Sequence, residues 1–112
     1  MEVNILGQKY TIENLDRAED ETLISGDVGG YCDSTSRRIV IRNLEEDYGV
    51  DDKDRLAKRN LRHEIIHAFL YESGLGDNFE HKSLGHEETM VDWIALQFPK
   101  IMKAFKEVDC LE

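Results

Sequence analysis

The chain has 112 residues, with 24 acidic and 14 basic side chains, a length that suits one domain with a single core. Its formal net charge of −10 would repel a nucleic-acid backbone, so no nucleic-acid partner is expected. The hydrophobic share of 40 % and the charged share of 34 % are typical of a globular protein and exclude a disordered or fibrous chain.

The sequence has no feature of a secreted or membrane-bound protein. Its first residues lack the basic and apolar regions of a signal peptide, and no apolar run reaches the roughly 18 residues that a bilayer span needs. Cys32 and Cys110 lie far apart and lack the density of a disulfide scaffold. We therefore expect a cytoplasmic protein with reduced thiols and no membrane partner.

The first third of the chain predicts a hairpin and a connection. Residues 3–12 contain two short β-prone runs on either side of Gly7 and Gln8, which predicts a β-hairpin. The acidic stretch 14–22 predicts a connection with at most one helical turn, and residues 23–24 predict the start of another short strand.

Residues 36–43 predict the clearest strand, because β-branched residues occupy positions 39, 40 and 41. This strand could lie either inside the sheet or at its edge. Inside the sheet both of its sides would be paired, whereas at the edge its backbone would be open to an extended peptide.

The second half of the chain predicts helices. Asp51 and Asp52 favour a helix start, apolar residues then recur at spacings of three and four to about Ser73, and Gly74 supplies a stop.

A second helix is predicted from about His86 to Phe98. Proline interrupts a helix, so Pro99 is expected to end or kink it. Residues 101–108 then predict a short terminal helix with its own apolar face.

The first predicted helix carries the HExxH sequence His63-Glu64-Ile65-Ile66-His67. Residues four apart share a helix face, so His63 and His67 can bind one metal ion. Glu64 lies beside that face, where its carboxylate can reach a water at the metal without binding the metal itself. Two histidine ligands and a glutamate general base are the arrangement of zinc metallopeptidases, so the sequence predicts Zn²⁺ as cofactor and Glu64 as catalytic residue.

A catalytic zinc usually has three protein ligands, so another is needed. The metzincin pattern is excluded, because Leu70 and Ser73 occupy the positions of its glycine and third histidine. Glu88 is the best candidate: it shares a helix face with Asp92, so Glu88 can bind the metal while Asp92 accepts the far N–H of His63. The alternative third ligands are His81, His86 and Glu87.

These residues carry a family resemblance. HEIIH, the later Glu88-x-x-x-Asp92 and the following Trp93-Ile94-Ala95 resemble the gluzincin-type arrangement of ImmA/IrrE-like metallopeptidases. The chain is also similar to small HExxH proteins of bacteriophages and prophages of Gram-positive bacteria. The likeness includes residues 30–33, 62–74 and 88–99.

The resemblance implies a minimal zincin formed by a single domain, residues 1–112, of the α+β class. A short antiparallel or mixed sheet from the N-terminal half would pack on an active-site helix and a second, ligand-bearing helix. It implies His63, His67 and Glu88 as zinc ligands and Glu64 as the base. The implied substrate is a peptide or protein, host-derived if a phage encodes the chain, in the bacterial cytosol. The sequence has no visible DNA-binding or sensor domain, so repressor cleavage is not implied.

Several alternatives stay open. HEIIHAFL also resembles the core of SprT-like proteases, in which a third histidine, here His81 or His86, would be the ligand. The chain could instead be a metal-containing module that binds a host protein without cutting it, or the two histidines could be purely structural. Cys32 could bind zinc and hold the site latent. An oxyanion-stabilising donor is expected from one of four residues, Tyr31, Tyr71, His81 and His86.

Overall fold

The computed structural model describes residues 1–75 and 88–112, without the side chains of Glu88, Val91, Asp92 and Ala95. In these ranges the chain forms a four-stranded sheet and three α-helices. The strands are β1 (Glu2–Ile5), β2 (Gln8–Asp16), β3 (Gly30–Asp33) and β4 (Arg38–Asn43). The helices are α1 (Glu21–Gly26), α2 (Lys53–Glu72) and α3 (Glu88–Glu107), and a 3₁₀ turn spans Arg17–Glu19. The α+β class is therefore confirmed.

β1 and β2 form the predicted hairpin, with Ile5 opposite Gln8, so the turn lies one residue before the predicted Gly7 and Gln8. Leu6 and Gly7 make the turn with positive φ angles of 51° and 88°, as two-residue hairpin turns require. The Asn4 side chain accepts the Gly7 N–H at 2.8 Å. β2 continues to Asp16, beyond the predicted strand, because its second half pairs in parallel with β4.

The sheet has the order β1-β2-β4-β3, so β4 lies inside it and β3 lies at one edge. An edge position for the 36–43 strand is therefore wrong. Three consecutive residues of β4, Ile39, Val40 and Ile41, are buried, as expected for an interior strand with both faces covered. Ile39 and Ile41 belong to the main core, and Val40 points to the opposite face.

Residues 23–24 belong to α1, so the short strand predicted there is wrong. Asp20 caps this helix by accepting the N–H of Leu23 at 3.0 Å, and Glu21 adds favourable charge in the first turn. Tyr31 of β3 donates its hydroxyl to Asp20 at 2.8 Å. This bond holds α1 against the face of the sheet that Val40 occupies.

α2 and α3 cover the other face of the sheet and form the main core with it. α2 begins as predicted: the Asp52 side chain accepts the N–H of Arg55 at 3.0 Å. The helix ends at Glu72, shortly before Gly74, whose φ is 82°. Ile65, Ala68 and Phe69 of α2 are almost completely buried. The motif therefore lies on a helix whose inner side is held by the core.

α3 is one continuous helix from Glu88 to Glu107, so Pro99 does not end the helix, and the separate terminal helix predicted at residues 101–108 is wrong. Pro99 is exposed, while Ile101, Ala104 and Phe105 after it are buried in the core. Their packing outweighs the single backbone hydrogen bond that proline removes. The predicted start at His86 lies outside the described residues. Within the described part of the chain, none of the helices is long and apolar enough to cross a membrane.

A buried tyrosine ties the sheet to the end of α2. The Tyr10 hydroxyl donates to Glu72 at 2.8 Å, and the Arg37 side chain donates to the same carboxylate oxygen at 3.2 Å. Burial, followed by the bond to Glu72, raises the pKa of Tyr10 well above its ordinary 10.0. The folded protein therefore keeps the phenolic proton at pH values where the unfolded chain loses it.

We expect Tyr10→Phe to lower the free energy of unfolding at pH 7 by about 1.5–3 kcal/mol, because one hydrogen bond to a charged acceptor is lost. Above pH 10 the unfolded wild-type chain ionises and the folded state does not, so the wild type loses stability as pH rises. The difference between the two proteins should therefore shrink. Urea unfolding at pH 7 and at pH 11 measures this, and a constant difference would contradict the assigned bond.

Candidate metal centre

His63 and His67 meet on one face of α2, as their spacing predicts. Their Nε2 atoms are 3.1 Å apart, and their ring centroids are 4.8 Å apart with an interplanar angle of 70°. The Nε2 atoms of the two rings therefore lie close enough to bind one metal ion. This convergence arises within one helix, because residues four apart stand one above the other.

The nitrogen separation fits two ligands of a tetrahedral zinc ion. Such ligands lie roughly 2.0–2.1 Å from the metal and therefore about 3.3–3.4 Å from each other, close to the observed 3.1 Å. A hydrogen bond between two neutral imidazoles would give a similar distance. The donor set, two imidazole nitrogens with a carboxylate beside them, matches the ligands that zinc prefers.

Glu64 completes the cluster from the adjacent position on α2. One ligand atom of each of His63, Glu64 and His67 lies within 4.8 Å of the others, although Glu64 is only 7 % exposed. Burial raises the pKa of Glu64 above its ordinary value, while the positive charge of His63 acts in the opposite direction. Burial also lowers the pKa of His67. Both shifts favour a proton-accepting, uncharged His67 and a carboxylate that readily takes up a proton.

The cluster opens into a cavity of about 260 Å³ between α2 and the edge strand β3. The wall on α2 consists of His63, Glu64, His67 and Tyr71, and the wall on β3 consists of Gly30, Tyr31 and Cys32. Sequence reasoning named Tyr31 and Cys32 as possible site residues but did not predict that their strand forms the opposite wall, since about 30 residues separate it from the motif.

Gly30 lets the sheet approach the motif closely. A Cβ atom at this position would lie 2.7 Å from the carbonyl oxygen of Val40 and 3.5 Å from Cγ of Glu64. The first distance is shorter than real Cβ contacts allow, so any larger residue would push β3 away from its neighbour strand or from α2. Gly30 therefore sets the width of the cavity at the carboxylate.

The side chains of the two tyrosines predicted as oxyanion donors lie in different places. The Tyr31 hydroxyl donates to Asp20 at 2.8 Å and accepts from Arg38 at 3.1 Å, on the face of the sheet away from α2. The Tyr71 ring lies 6.5 Å from the His67 ring and is 38 % exposed. Tyr71 is thus the one of this pair whose side chain is beside the histidines. The other two predicted donors, His81 and His86, lie outside the described residues.

Cys32 lines the cavity but has the character of a core thiol. It is partly buried against the hydrophobic core, and burial, followed by the negative charge of Glu64, raises its pKa to about 12. The thiol therefore stays protonated at neutral pH, which disfavours the thiolate that zinc binds. Cys110 is buried, and both cysteines are free thiols.

The predicted third ligand remains a prediction. Glu88 is the first residue of α3 and Asp92 lies one turn later, but their side chains are outside the described part, as are His81, His86 and Glu87. The start of α3 is attached to the end of α2, because the Trp93 indole N–H donates to the Ser73 hydroxyl at 3.0 Å. Ser73 in turn donates to the carbonyl of Leu70 at 3.1 Å. The helix that carries Glu88 is thus joined to the helix that carries the motif.

Comparisons with models of known protein families, with curated proteins and with solved structures find no match to this chain.

Proposed function

We propose that this protein is a zinc-dependent metallopeptidase. The observation that carries the proposal is the convergence of the His63 and His67 Nε2 atoms, 3.1 Å apart, beside the buried carboxylate of Glu64 at the wall of a cavity. Two imidazoles supply the metal ligands, and the carboxylate supplies a proton acceptor next to them. Glu88 is proposed as the third ligand, with Asp92 behind His63.

A zinc ion held by these residues would polarise a scissile carbonyl and lower the pKa of a bound water toward about 7. Glu64, buried beside the two histidines, accepts the proton of the attacking water as general base. The same carboxyl group then returns the proton to the leaving amine. Tyr71, whose ring lies 6.5 Å from the His67 ring, is proposed as the hydrogen-bond donor to the developing oxyanion.

The edge strand β3 favours an extended peptide as substrate. The Arg42 N–H donates to the Gly29 carbonyl at 3.0 Å, which marks one hydrogen-bonded pair of the ladder, and such pairs alternate along antiparallel strands. Tyr31, two residues later, therefore bonds to β4, and the backbone groups of Gly30 and Cys32 face the open side. Among the described residues no strand pairs with that side, so a peptide could add there and cross the cavity.

Metal analysis tests the proposal. We expect protein purified without chelators to contain about one zinc per chain, and His63→Ala or His67→Ala to reduce that content to background. Glu88→Gln should weaken zinc binding at least about tenfold, while His81→Ala and His86→Ala should leave it unchanged. Loss of zinc in a His81 or His86 variant would instead support the SprT-like ligand set. No zinc in the wild type, even after incubation with excess zinc, would refute the proposal.

A further inference from the structure

A second concave surface, the lysine groove, lies between the β1–β2 turn and α3. It has a volume of about 990 Å³ and is larger than the cavity at the histidines. Leu6, Phe69 and Ala104 form an apolar floor, and Lys100, Lys103 and Lys106 stand at the rim. None of these residues lines the cavity at the metal centre. The groove is therefore a separate site.

The rim lysines concentrate positive charge on one part of an acidic protein. The net charge of the chain is −10, and arginines of the sheet are paired, for example Arg38 with Glu13 at 2.9 Å and Arg42 with Glu45 at 3.0 Å. By contrast, no carboxylate among the described side chains lies within 4.0 Å of the ammonium group of Lys100, Lys103 or Lys106. Glu107 also reaches the rim, so the groove carries three positive charges and one negative charge.

The dimensions of the groove suit a short peptide. Lys100 and Lys106 are six residues apart on a helix, which corresponds to about 9 Å along its axis. About three residues of an extended chain cover the same distance. The volume lies at the upper end of the roughly 300–1,000 Å³ of typical ligand sites. An apolar side chain can contact the floor while acidic residues on either side reach the lysines.

We propose that the lysine groove binds a short acidic segment of a partner protein, with one or two apolar residues at its centre. Charge complementarity at the rim and the apolar floor select this chemistry. A long polyanion, such as nucleic acid or an anionic membrane, would place most of its charge over the acidic remainder of the surface and be repelled. A short segment places its charges only against the lysines.

A titration followed by NMR tests the proposal with a blocked hexapeptide that has two central leucines flanked by two glutamates on each side. We expect chemical-shift changes at Leu6, Phe69 and Ala104, and much weaker binding of the same peptide with glutamine in place of glutamate. Lys100→Gln with Lys103→Gln should weaken binding about tenfold, as loss of two partly exposed ion pairs implies.

Arg55→Gln with Arg59→Gln is the matched control, because it removes the same charge from exposed residues of α2. This control should bind the peptide as the wild type does. Equal weakening in both double variants, shift changes away from the groove, or no binding at millimolar peptide would overturn the proposal. So would equal competition by an oligonucleotide of the same charge or by anionic phospholipid vesicles, since the groove would then bind anions in general.

Discussion

Glu64→Gln is expected to abolish peptide hydrolysis while the fold and zinc binding remain intact. The change keeps the shape of the side chain and removes its ability to accept a proton, and general-base catalysis contributes about 10²–10⁴-fold to rates. A mixed-sequence peptide library, incubated with each protein at equal zinc content and analysed by mass spectrometry, measures the loss.

The same variant should be at least as stable as the wild type when zinc is removed. Glu64 is 7 % exposed, and burial raises its pKa, so its charge destabilises the folded state at pH values above the ordinary 4.5. Glutamine carries no charge, and its advantage should therefore grow as pH rises from 4 to 7. Thermal unfolding with a chelator at several pH values measures this. A clear loss of stability would show that Glu64 has a structural role instead.

Asp54→Asn is the matched control for hydrolysis. Asp54 lies on α2 as Glu64 does, but its side chain is 85 % exposed and pairs with Lys58 at 3.7 Å. This variant should cleave peptides at the wild-type rate. Unchanged hydrolysis in Glu64→Gln would contradict the proposed mechanism. A biological effect that survives in Glu64→Gln without hydrolysis would favour a module that binds a host protein without cutting it.

Gly30→Ala is expected to have the second large effect, on both stability and activity. The added Cβ would lie 2.7 Å from the Val40 carbonyl oxygen and 3.0 Å from Cδ1 of Ile41, so β3 must shift. We expect the free energy of unfolding to fall by about 1–3 kcal/mol. The shift also moves the cavity wall relative to Glu64, and a displacement of about 1 Å can lower hydrolysis about a hundredfold. Urea unfolding and the peptide assay measure the two effects.

Gly26→Ala provides the control for the glycine substitution. Gly26 is the last residue of α1, and a Cβ there would meet the Val28 side chain at 3.4 Å, an ordinary contact. Stability should stay equal or rise by up to about 1 kcal/mol, because alanine has less freedom in the unfolded chain. If Gly30→Ala behaved in the same way, β3 would not constrain the cavity as the geometry indicates.

The contrast between the two ends of α2 and the middle of α3 shows where sequence reasoning succeeds. Asp52, Gly74 and the apolar spacing predicted α2 almost to the residue, since caps and periodicity act within a few residues. The same local reasoning predicted that Pro99 ends or kinks a helix, but α3 does not end there. Whether proline ends a helix depends on what the following turn contacts, and the buried Ile101, Ala104 and Phe105 hold α3 together.

The strands also show which features local sequence predicts and which it does not. The β-branched residues 39–41 predicted β4, but local sequence could not tell whether it lay inside the sheet, because strand order depends on pairings between distant segments. β2 and β4 pair in parallel across more than 20 residues, which moves β4 inside and leaves β3 at the edge. Residues 23–24 were predicted as a strand because both are β-prone. A local signal outweighs this preference, since the cap at Asp20 favours a helix there.

The sequence by itself determined which three side chains meet in the candidate metal centre. His63, Glu64 and His67 meet because an α-helix repeats its face every three to four residues, a geometry that needs no tertiary contact. The tertiary structure alone decided that β3 forms the opposite wall, that Gly30 sets its distance, and that Lys100, Lys103 and Lys106 rim a separate groove. These features depend on packing between segments far apart in the chain, which local periodicity does not encode.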